Sequence, residues 1–333
     1  VLRYFTFTRL WNAVLLYCSY NWSRWTGKPA HSGKAISITI EPTTSCNLRC
    51  PECPSGLRSF TRATGMMNME LFRKITDEVS SHAAYMNFYF QGEPFLHPEI
   101  TAMFAYASAK KMYTSTSTNA HYLDANKAKQ VVQSGLNRLI ISIDGTTQDV
   151  YESYRVGGTL SKVIEGTRNV VNAKRELKSE FPHIVFQFLV VRPNEHQVNE
   201  VKALADELGV NEVVYKSAQV YDYENGNPLI PHNDSYSRYR KTASGKWELK
   251  NKLENQCWRM WHSCVITWDG NVVPCCFDKD AKYKLGSLKE QQLSAVWNNE
   301  AYQNFRAKLL CGRNQIDICT NCSEGTRIGL EVE

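Results

Sequence analysis

From residue 36 to residue 217 the chain alternates short β-rich runs with longer stretches of helical periodicity, and few folds accommodate that pattern. The β-rich runs lie at 36–41, 85–90, 113–118, 138–144, 184–191 and 212–217, and helical stretches lie between them at 68–80, 98–111, 124–133, 159–178 and 196–208. Strands separated by helices of about ten or more residues do not pair as hairpins, because each connection has to cross a face of the sheet. The pattern therefore predicts an α/β fold of βαβ units around a parallel sheet with right-handed crossovers. Gly135, just past the 124–133 stretch, is a stop signal of the expected kind. Parallel α/β folds hold their ligands on the loops at the carboxyl ends of the strands. The residues that directly follow each strand are thus the candidates for chemistry.

The loop after the first strand reads Thr44-Ser45-Cys46-Asn47-Leu48-Arg49-Cys50-Pro51-Glu52-Cys53, a C-x3-C-x2-C spacing. Thiolates this close can converge on one soft metal centre. Three is an incomplete set both for structural zinc and for an ordinary cubane iron–sulfur cluster, each of which takes four ligands. Three thiolates on a [4Fe–4S] cluster leave one iron open to a chelating small molecule. Taken alone, the spacing also fits a zinc knuckle or a disulfide pair. The distribution of cysteines bears on that choice: of 11, three sit at 46–53 and seven follow residue 256. A disulfide scaffold is shorter and secreted. Two local clusters in a chain of 333 residues point instead to metal in a reducing, cytoplasmic compartment, in an organism that works without much oxygen. The net charge of +6 comes from 39 basic and 33 acidic residues with no basic run that tracks phosphates, so no nucleic-acid partner is expected.

Read with the strand ends that follow it, the cysteine run resembles the signature of the radical S-adenosylmethionine (radical SAM) superfamily. The resemblance implies a partial (β/α)6 TIM-like barrel, matching the six runs counted above. It also implies a [4Fe–4S] cluster on Cys46, Cys50 and Cys53, with S-adenosylmethionine (SAM) chelating the open iron. In that family reductive cleavage of the sulfonium yields a 5′-deoxyadenosyl radical, which takes a hydrogen atom from the substrate. Gln91-Gly92-Glu93-Pro94 resembles the family's Gly-Gly-Glu-Pro, with Gln in place of the first Gly. Gly92 permits close backbone approach, and Glu93 is implied to accept from the SAM ammonium. Ser115-Thr116-Ser117-Thr118-Asn119 resembles the segment that reaches the ribose, which singles out Ser117 and Asn119. Ser142-Ile143-Asp144-Gly145 resembles a Ser-x-Asp-Gly common in this group, and Arg155 stands where an Arg pairs with the SAM carboxylate, a task suited to the guanidinium fork. Taken singly, each is equally a turn or a solvated strand end; together they occur in the right order, each after a predicted strand. One departure is Glu52, at a position that is often aromatic in the family and lies against adenine.

Residues 219–256 lack periodicity and contain Asn225-Gly226-Asn227-Pro228, which reads as a linker with a short helix. Beyond it come Cys257-x6-Cys264, then Val265-Ile266-Thr267-Trp268 and Val272-Val273 about the hairpin signal Asp269-Gly270, then Pro274-Cys275-Cys276-Phe277-Asp278, and finally Cys319-x2-Cys322. This arrangement is similar to the SPASM/twitch extension of radical SAM enzymes, which implies a small C-terminal β-hairpin/helix domain binding auxiliary iron–sulfur clusters. No cysteine follows Cys322 through Glu333, so one auxiliary [4Fe–4S] cluster is expected, on Cys257, Cys275, Cys319 and Cys322. Cys264 on the hairpin strand reads as structural, Cys276 as facing away from Cys275 on a regular strand, and Cys311 has no assigned role. On spacing alone a zinc ribbon fits as well; behind a radical SAM core, iron–sulfur is favoured. Asp278 is a candidate acid or base beside the auxiliary loop, or simply a turn aspartate.

Ahead of the first strand, Leu10, Val14 and Cys18 recur every four residues, as do Trp11 and Leu15, which predicts an amphipathic helix. Arg9, Asn12, Ser19, Asn21 and Arg24 interrupt it, so it falls short of the ~20 apolar residues of a membrane span, and no signal-peptide cleavage site is seen. A helix packed on the main domain with Cys18 buried is the first expectation; a membrane-surface helix with aromatic anchors is the second.

The expected division is an N-terminal amphipathic segment at 1–35, a radical SAM core at 36–218, a linker at 219–256 and a SPASM-type domain at 257–333. Cluster and SAM would do the hard step, while the protein positions the substrate and excludes water. The implied partners are a peptide or small-molecule substrate and a one-electron donor such as flavodoxin or ferredoxin. Peptide or protein modification ranks just above oxidation of a small-molecule alcohol. The rival readings are a radical cyclase or carbon–carbon bond-forming enzyme acting on a small metabolite, and a non-catalytic iron–sulfur or zinc scaffold.

Overall fold

The computed structural model describes residues 4 and 6–325. Strands β1 (Ser37–Ile40), β2 (Tyr85–Asn87), β3 (Tyr113–Thr118), β4 (Arg138–Ser142), β5 (His183–Val190) and β6 (Glu212–Ser217) pair in sequence order, every neighbour parallel. An N-terminal helix α1 (Phe7–Thr26) precedes β1, and a short α2 (Pro54–Leu57) follows it. The crossovers are α3 (Met69–Val79), α4 (Ile100–Ala109), α5 (Ala125–Gln133), the pair α6 (Gln148–Tyr154) and α7 (Leu160–Glu176), and α8 (Val198–Leu208). Their ends follow local rules. Asn68 and Asp124 cap α3 and α5 by accepting from the N–H groups of Leu71 and Lys127, and α8 stops at Gly209 in the left-handed region.

The two faces of the sheet differ. Ile38, Ile40, Met86, Phe88, Leu139, Ile141, Ile184, Phe186 and Phe188 pack with α3, α4, α5 and α7 in one buried core. The alternate positions Ser37, Thr39, Asn87, Ser117 and Ser142 instead line hollows on the other face. A parallel sheet covered on both faces by helices is apolar throughout; a polar inner face belongs to a sheet that encloses a site. Among these inner groups, Asn87 Oδ1 is buried with no protein partner, the condition expected where a bound molecule completes the hydrogen bonding.

The C-terminal hairpin is part of the same sheet. β9 (Ser263–Ile266) pairs parallel with β1, then β10 (Asn271–Val273) and β11 (Gly286–Ser287) follow antiparallel, giving nine strands in the order β11-β10-β9-β1-β2-β3-β4-β5-β6. Without β9, β1 would carry a row of unpaired backbone groups at an exposed edge. The helices α9 (Arg259–His262), α10 (Leu293–Trp297), α11 (Glu300–Gly312) and α12 (Asp317–Thr320) complete this region, and residues 326–333 of the expected 257–333 segment lie outside the described residues. The 219–256 stretch, expected to hold a short helix, contains one 3-10 turn (Asp234–Tyr236) and the antiparallel ribbon β7 (Tyr239–Lys241) and β8 (Trp247–Leu249).

α1 forms where the periodicity places it, but it is turned over. Its buried residues are Arg9, Asn12, Leu16, Ser19, Tyr20 and Ser23, whereas Leu10, Trp11, Val14 and Cys18 are exposed. The expected burial of Cys18 is therefore wrong. The surface that α1 covers is the reason. Arg9 donates to the carbonyls of Ser80, Lys110 and Lys111, which end the turns entering β2 and β3, and Asn12 exchanges two bonds with Lys34. A rim of backbone carbonyls needs donors, so the polar face packs inward. No helix among the described residues is long and apolar enough to cross a membrane.

Candidate functional site

The cysteine loop leaves β1 at its carboxyl end and is pinned at its base. Thr44 N donates to Gly65 O at 3.0 Å, Met67 N to Pro42 O at 2.9 Å, and the buried Glu41 takes both terminal nitrogens of Arg62, at 2.5 and 2.8 Å. Within it, Cys46, Cys50 and Cys53 border one cavity of about 760 Å³, together with Gly92, Glu93, Ser117, Asn119, Ser142 and Arg155. Residues from the ends of β1, β2, β3 and β4 thus meet around a single space, as the strand-end argument requires.

Gly92 sits at φ +77°, and a Cβ there would collide with the Thr43 carbonyl oxygen and come within 2.8 Å of that of Ser45. Glycine is needed for the turn and for the approach of the cysteine loop, whose Ser45 carbonyl accepts from Glu93 N at 2.7 Å. Glu93 is buried, and its carboxylate accepts from Thr118 Oγ1 (2.7 Å), Phe95 N (3.1 Å) and Asn119 N (2.7 Å). Burial raises its pKa, and these bonds oppose the rise without cancelling it. Asn119 in turn donates to Asn47 Oδ1 at 2.8 Å, tying β3 to the cysteine loop.

Asp144 does not border the cavity. It is buried behind the wall, where Oδ1 accepts from Leu189 N at 2.7 Å and Oδ2 from Arg155 Nε at 2.5 Å. It holds Arg155, whose Nη1 lies 3.9 Å from Cys50 Sγ. Burial works against the Arg155 charge, yet Asp144 and Cys50 beside it keep its pKa well above the usual value. Burial pushes the Cys46 thiol up to about 12 and raises that of Cys50, where Arg155 works the other way. Thiols so placed ionise when a metal centre supplies the positive charge.

Cys257, Cys275, Cys319 and Cys322 come together from three separate segments. The Cys275 thiol is raised well above its usual range by burial and then by the neighbouring Cys276, Cys322, Cys257 and Cys319. Burial likewise lifts Cys319 to about 11 and Cys322 to about 12. Arg313, also buried, donates to Cys322 Sγ at 3.3 Å and to the carbonyls of Gln256 and Glu324. Gly325 packs so tightly on Cys257 that a Cβ would overlap its sulfur. Cys264 is buried in β9, Cys311 is exposed, and Cys276 Sγ takes a 3.7 Å contact from Arg259 Nη1. Among the described residues no three His, Cys, Asp or Glu side chains gather closely enough for one metal ion.

A separate hollow lies beside each cysteine region. A hollow of about 660 Å³ inside the sheet shares Tyr89 and Phe90 with the first cavity and reaches Cys275 and Cys276 at its other end. Outside, an open groove of about 1360 Å³ runs past Pro54, Tyr221, Tyr223, Phe277 and Asn321, touching both cysteine regions. Glu52 accepts from Tyr221 N at 3.0 Å, so this position braces the 219–256 segment. Asp278 is fully buried, and its two oxygens accept from the backbone N–H groups of Lys282 (2.8 Å) and Tyr283 (2.9 Å). It clamps a turn, and the geometry speaks against the acid–base role expected for it. Arg313 and Tyr154, which borders the first cavity, were missed in the sequence. Neither belongs to a motif, and nothing local marks a residue that meets cysteines through a fold.

Residues 40–208 match the family model of the radical SAM superfamily, and residues 257–323 match that of SPASM, an iron–sulfur cluster-binding domain. The chain is 27% identical over 326 residues to the tungsten-containing aldehyde ferredoxin oxidoreductase cofactor-modifying protein of Pyrococcus furiosus, covering 86% of each. It is 22% identical over 291 residues to the S-adenosyl-L-methionine-dependent 2-deoxy-scyllo-inosamine dehydrogenase of Niallia circulans, covering 86% of this chain and 92% of that one. In fold it resembles Streptococcus suis SuiB bound to precursor peptide SuiA, with a TM-score of 0.60 at 13% identity over 82% of this chain and 67% of the other.

Proposed function

The chain belongs to the radical SAM superfamily, and from that premise we propose that Cys46, Cys50 and Cys53 hold the [4Fe–4S] cluster to which SAM binds. The observation that carries this is the meeting of three buried or half-buried thiols with Arg155, Glu93, Ser117, Asn119 and Ser142 around one cavity. When bound, cluster and SAM supply reductive sulfonium cleavage and a 5′-deoxyadenosyl radical that takes a hydrogen atom from the substrate. The residues of the chain do the rest. Arg155 pairs with the SAM carboxylate, and Asp144 is a positioning residue that orients it through Nε. Glu93 accepts from the SAM ammonium with the acceptor capacity that its three internal bonds leave. Ser117 and Asn119 reach the ribose, and Ser142 lines the same wall. Tyr89, Phe90 and Tyr154 keep water from the reacting atoms.

The six parallel strands β1–β6 read as the partial (β/α)6 barrel, with the hairpin region as its SPASM-type extension. Cys257, Cys275, Cys319 and Cys322 would hold one auxiliary cluster. With four thiolates that cluster has no open iron, which favours electron transfer over substrate binding. The inner hollow between the two sets is where the reacting part of the substrate belongs, and the open groove outside suits an extended peptide better than a small metabolite. The substrate is therefore a peptide or protein side chain that is oxidised, with a flavodoxin or ferredoxin as electron donor. The second reading, oxidation of a small-molecule alcohol, is favoured by the likeness to the Niallia circulans dehydrogenase over nearly its whole length.

The test is anaerobic reconstitution followed by dithionite and SAM. Iron near eight per chain and formation of 5′-deoxyadenosine are expected, eight being about four per cluster for two clusters. Zinc without iron, or no SAM cleavage by the intact protein, overturns the reading. A rearranged product without net oxidation would favour the cyclase alternative.

A further inference from the structure

α1 is mounted inside out, and its outward face has the makings of a binding surface. Phe7, Trp11, Val14, Cys18, Trp22 and Trp25 recur at steps of three and four residues along it. Phe7 is 84% exposed and Trp25 80%, with Trp11 and Trp22 at 56% each. With 3.6 residues per turn this seam falls on the side opposite the buried Asn12, Leu16 and Ser23. Leu10 and Tyr17, also exposed, widen it along one edge. A helix of a globular protein turns such a stripe toward the core, and a contiguous exposed apolar surface marks a place of interaction. The helix is firmly held in this attitude. Arg9 spans four backbone carbonyls, Ser23 exchanges bonds with Ala30, and Tyr20 packs edge-on against Trp258 and Trp261.

The charge of the segment that carries the seam is one-sided, although Glu254 is exposed beside Arg24 and Trp25. Residues 1–40 contain five basic residues and no acidic one, whereas the 34 basic and 33 acidic residues of the remainder nearly cancel. Arg24 and Lys28 are exposed at the C-terminal end of α1, while Lys34, held at Asn12, and Lys111, whose carbonyl receives Arg9, are exposed toward its N-terminal half. Almost the whole net charge of the chain is thus carried by the segment that also displays Phe7, Trp11, Trp22 and Trp25.

We propose that this face of α1 docks on an anionic lipid bilayer, with the helix lying in the interface. Tryptophan and tyrosine are the side chains that favour the headgroup level, and basic residues beside an apolar helix face add attraction to anionic lipid. A second copy of the chain is the weaker occupant. Helix seams between copies use flanking charges of both signs from the helices themselves, whereas residues 1–40 supply only basic ones and Glu254 beside Arg24 stands on a loop outside the helix. α1 covers the turns that enter β2 and β3, at the amino ends of the strands. Docking through it leaves the Cys46 cavity, at the carboxyl ends, facing the aqueous side. The inference stands independently of the chemistry proposed above.

The experiment is sedimentation of the full chain with vesicles of phosphatidylcholine alone or mixed with phosphatidylglycerol. The expected result is pelleting with the phosphatidylglycerol vesicles, weakened by high salt, and reduced at least about tenfold in W11S/W22S/W25S. These side chains are exposed, so the variant should keep its helicity by circular dichroism. Should it not fold, quenching of wild-type tryptophan emission by brominated phosphatidylcholine in the mixed vesicles reads the same contact. Binding to neither vesicle, equal binding to both, or undiminished binding of the folded triple variant overturns the proposal. So does a dimer, seen by sedimentation velocity in the absence of vesicle binding, that the triple variant abolishes.

Discussion

The two cysteine regions are built from the same donor but by opposite means. The first comes from one loop of eight residues, 46–53, and opens onto a cavity ringed by the ends of four strands. The second is gathered from three segments 62 or more residues apart at its extremes, and three of its four cysteines are under 9% exposed. Each has an arginine against a sulfur, the half-buried Arg155 at Cys50 and the buried Arg313 at Cys322. Arg155 is braced by a carboxylate, Asp144, and its remaining donors border open space; Arg313 is occupied by the carbonyls of Gln256 and Glu324. The lesson is that an arginine beside a thiolate has two uses. Held from behind, it is presented to a ligand; bonded through both terminal nitrogens, it seals and stabilises buried negative charge.

That contrast can be broken most directly at the sulfurs. Cys50→Ala should lower SAM cleavage by at least about a thousandfold, because the open iron is lost with its cluster. Cys319→Ala should leave 5′-deoxyadenosine formation within about tenfold of wild type while abolishing oxidised product. Equal loss of SAM cleavage in both variants, with the iron of the first region retained in Cys319→Ala, would erase the distinction between the regions. The next effect is at Asp144. Asp144→Asn keeps the shape but removes the charge behind Arg155, and SAM cleavage should fall about 10–100-fold, mainly through weaker SAM binding measured by calorimetry. A change in turnover with SAM affinity untouched would show that Arg155 needs no such brace.

Arg313→Gln tests the sealed region. It should lower auxiliary iron content or shift its reduction potential in electron paramagnetic resonance titrations, with about twofold or less change in SAM cleavage. The smallest effect concerns acid. Burial pushes His262, in α9 beneath the second region, down to about 4 from an ordinary 6.5. The unfolded chain therefore takes up this proton first. The stability that neutral His262 contributes is complete above about pH 6.5 and is lost as pH falls from there to about 4, by up to about 3 kcal/mol. Denaturant unfolding followed across that range should show this loss reduced in His262→Gln.

How much of this was legible in the chain can be judged residue by residue. Cys46, Cys50 and Cys53 lie close in sequence, so their meeting required only a loop. Gly92 could be read because it lies in the loop just after β2, and parallel strands deliver such loops to one rim, whereas Arg155, at the end of α6, was read only through the family resemblance. Asp144 was expected among the cofactor-binding residues, and the structure instead sets it behind the wall on Arg155, since whether a carboxylate faces a cavity depends on packing. Asp278 was open to two readings, and the backbone N–H groups of Lys282 and Tyr283 decide for the turn.

By itself the sequence determined the alternation of strands and helices from β1 to β6 and the closeness of Cys46, Cys50 and Cys53, because these depend on residues within one turn or one connection of each other. Tertiary structure alone decided that β9 would cover the edge of β1, that Arg313 would reach Cys322, and that α1 would turn its polar side inward. A helical period tells which residues share a face, while the surface that meets that face is assembled from distant segments. Here that surface is a rim of carbonyls that attracts donors more strongly than it attracts tryptophan.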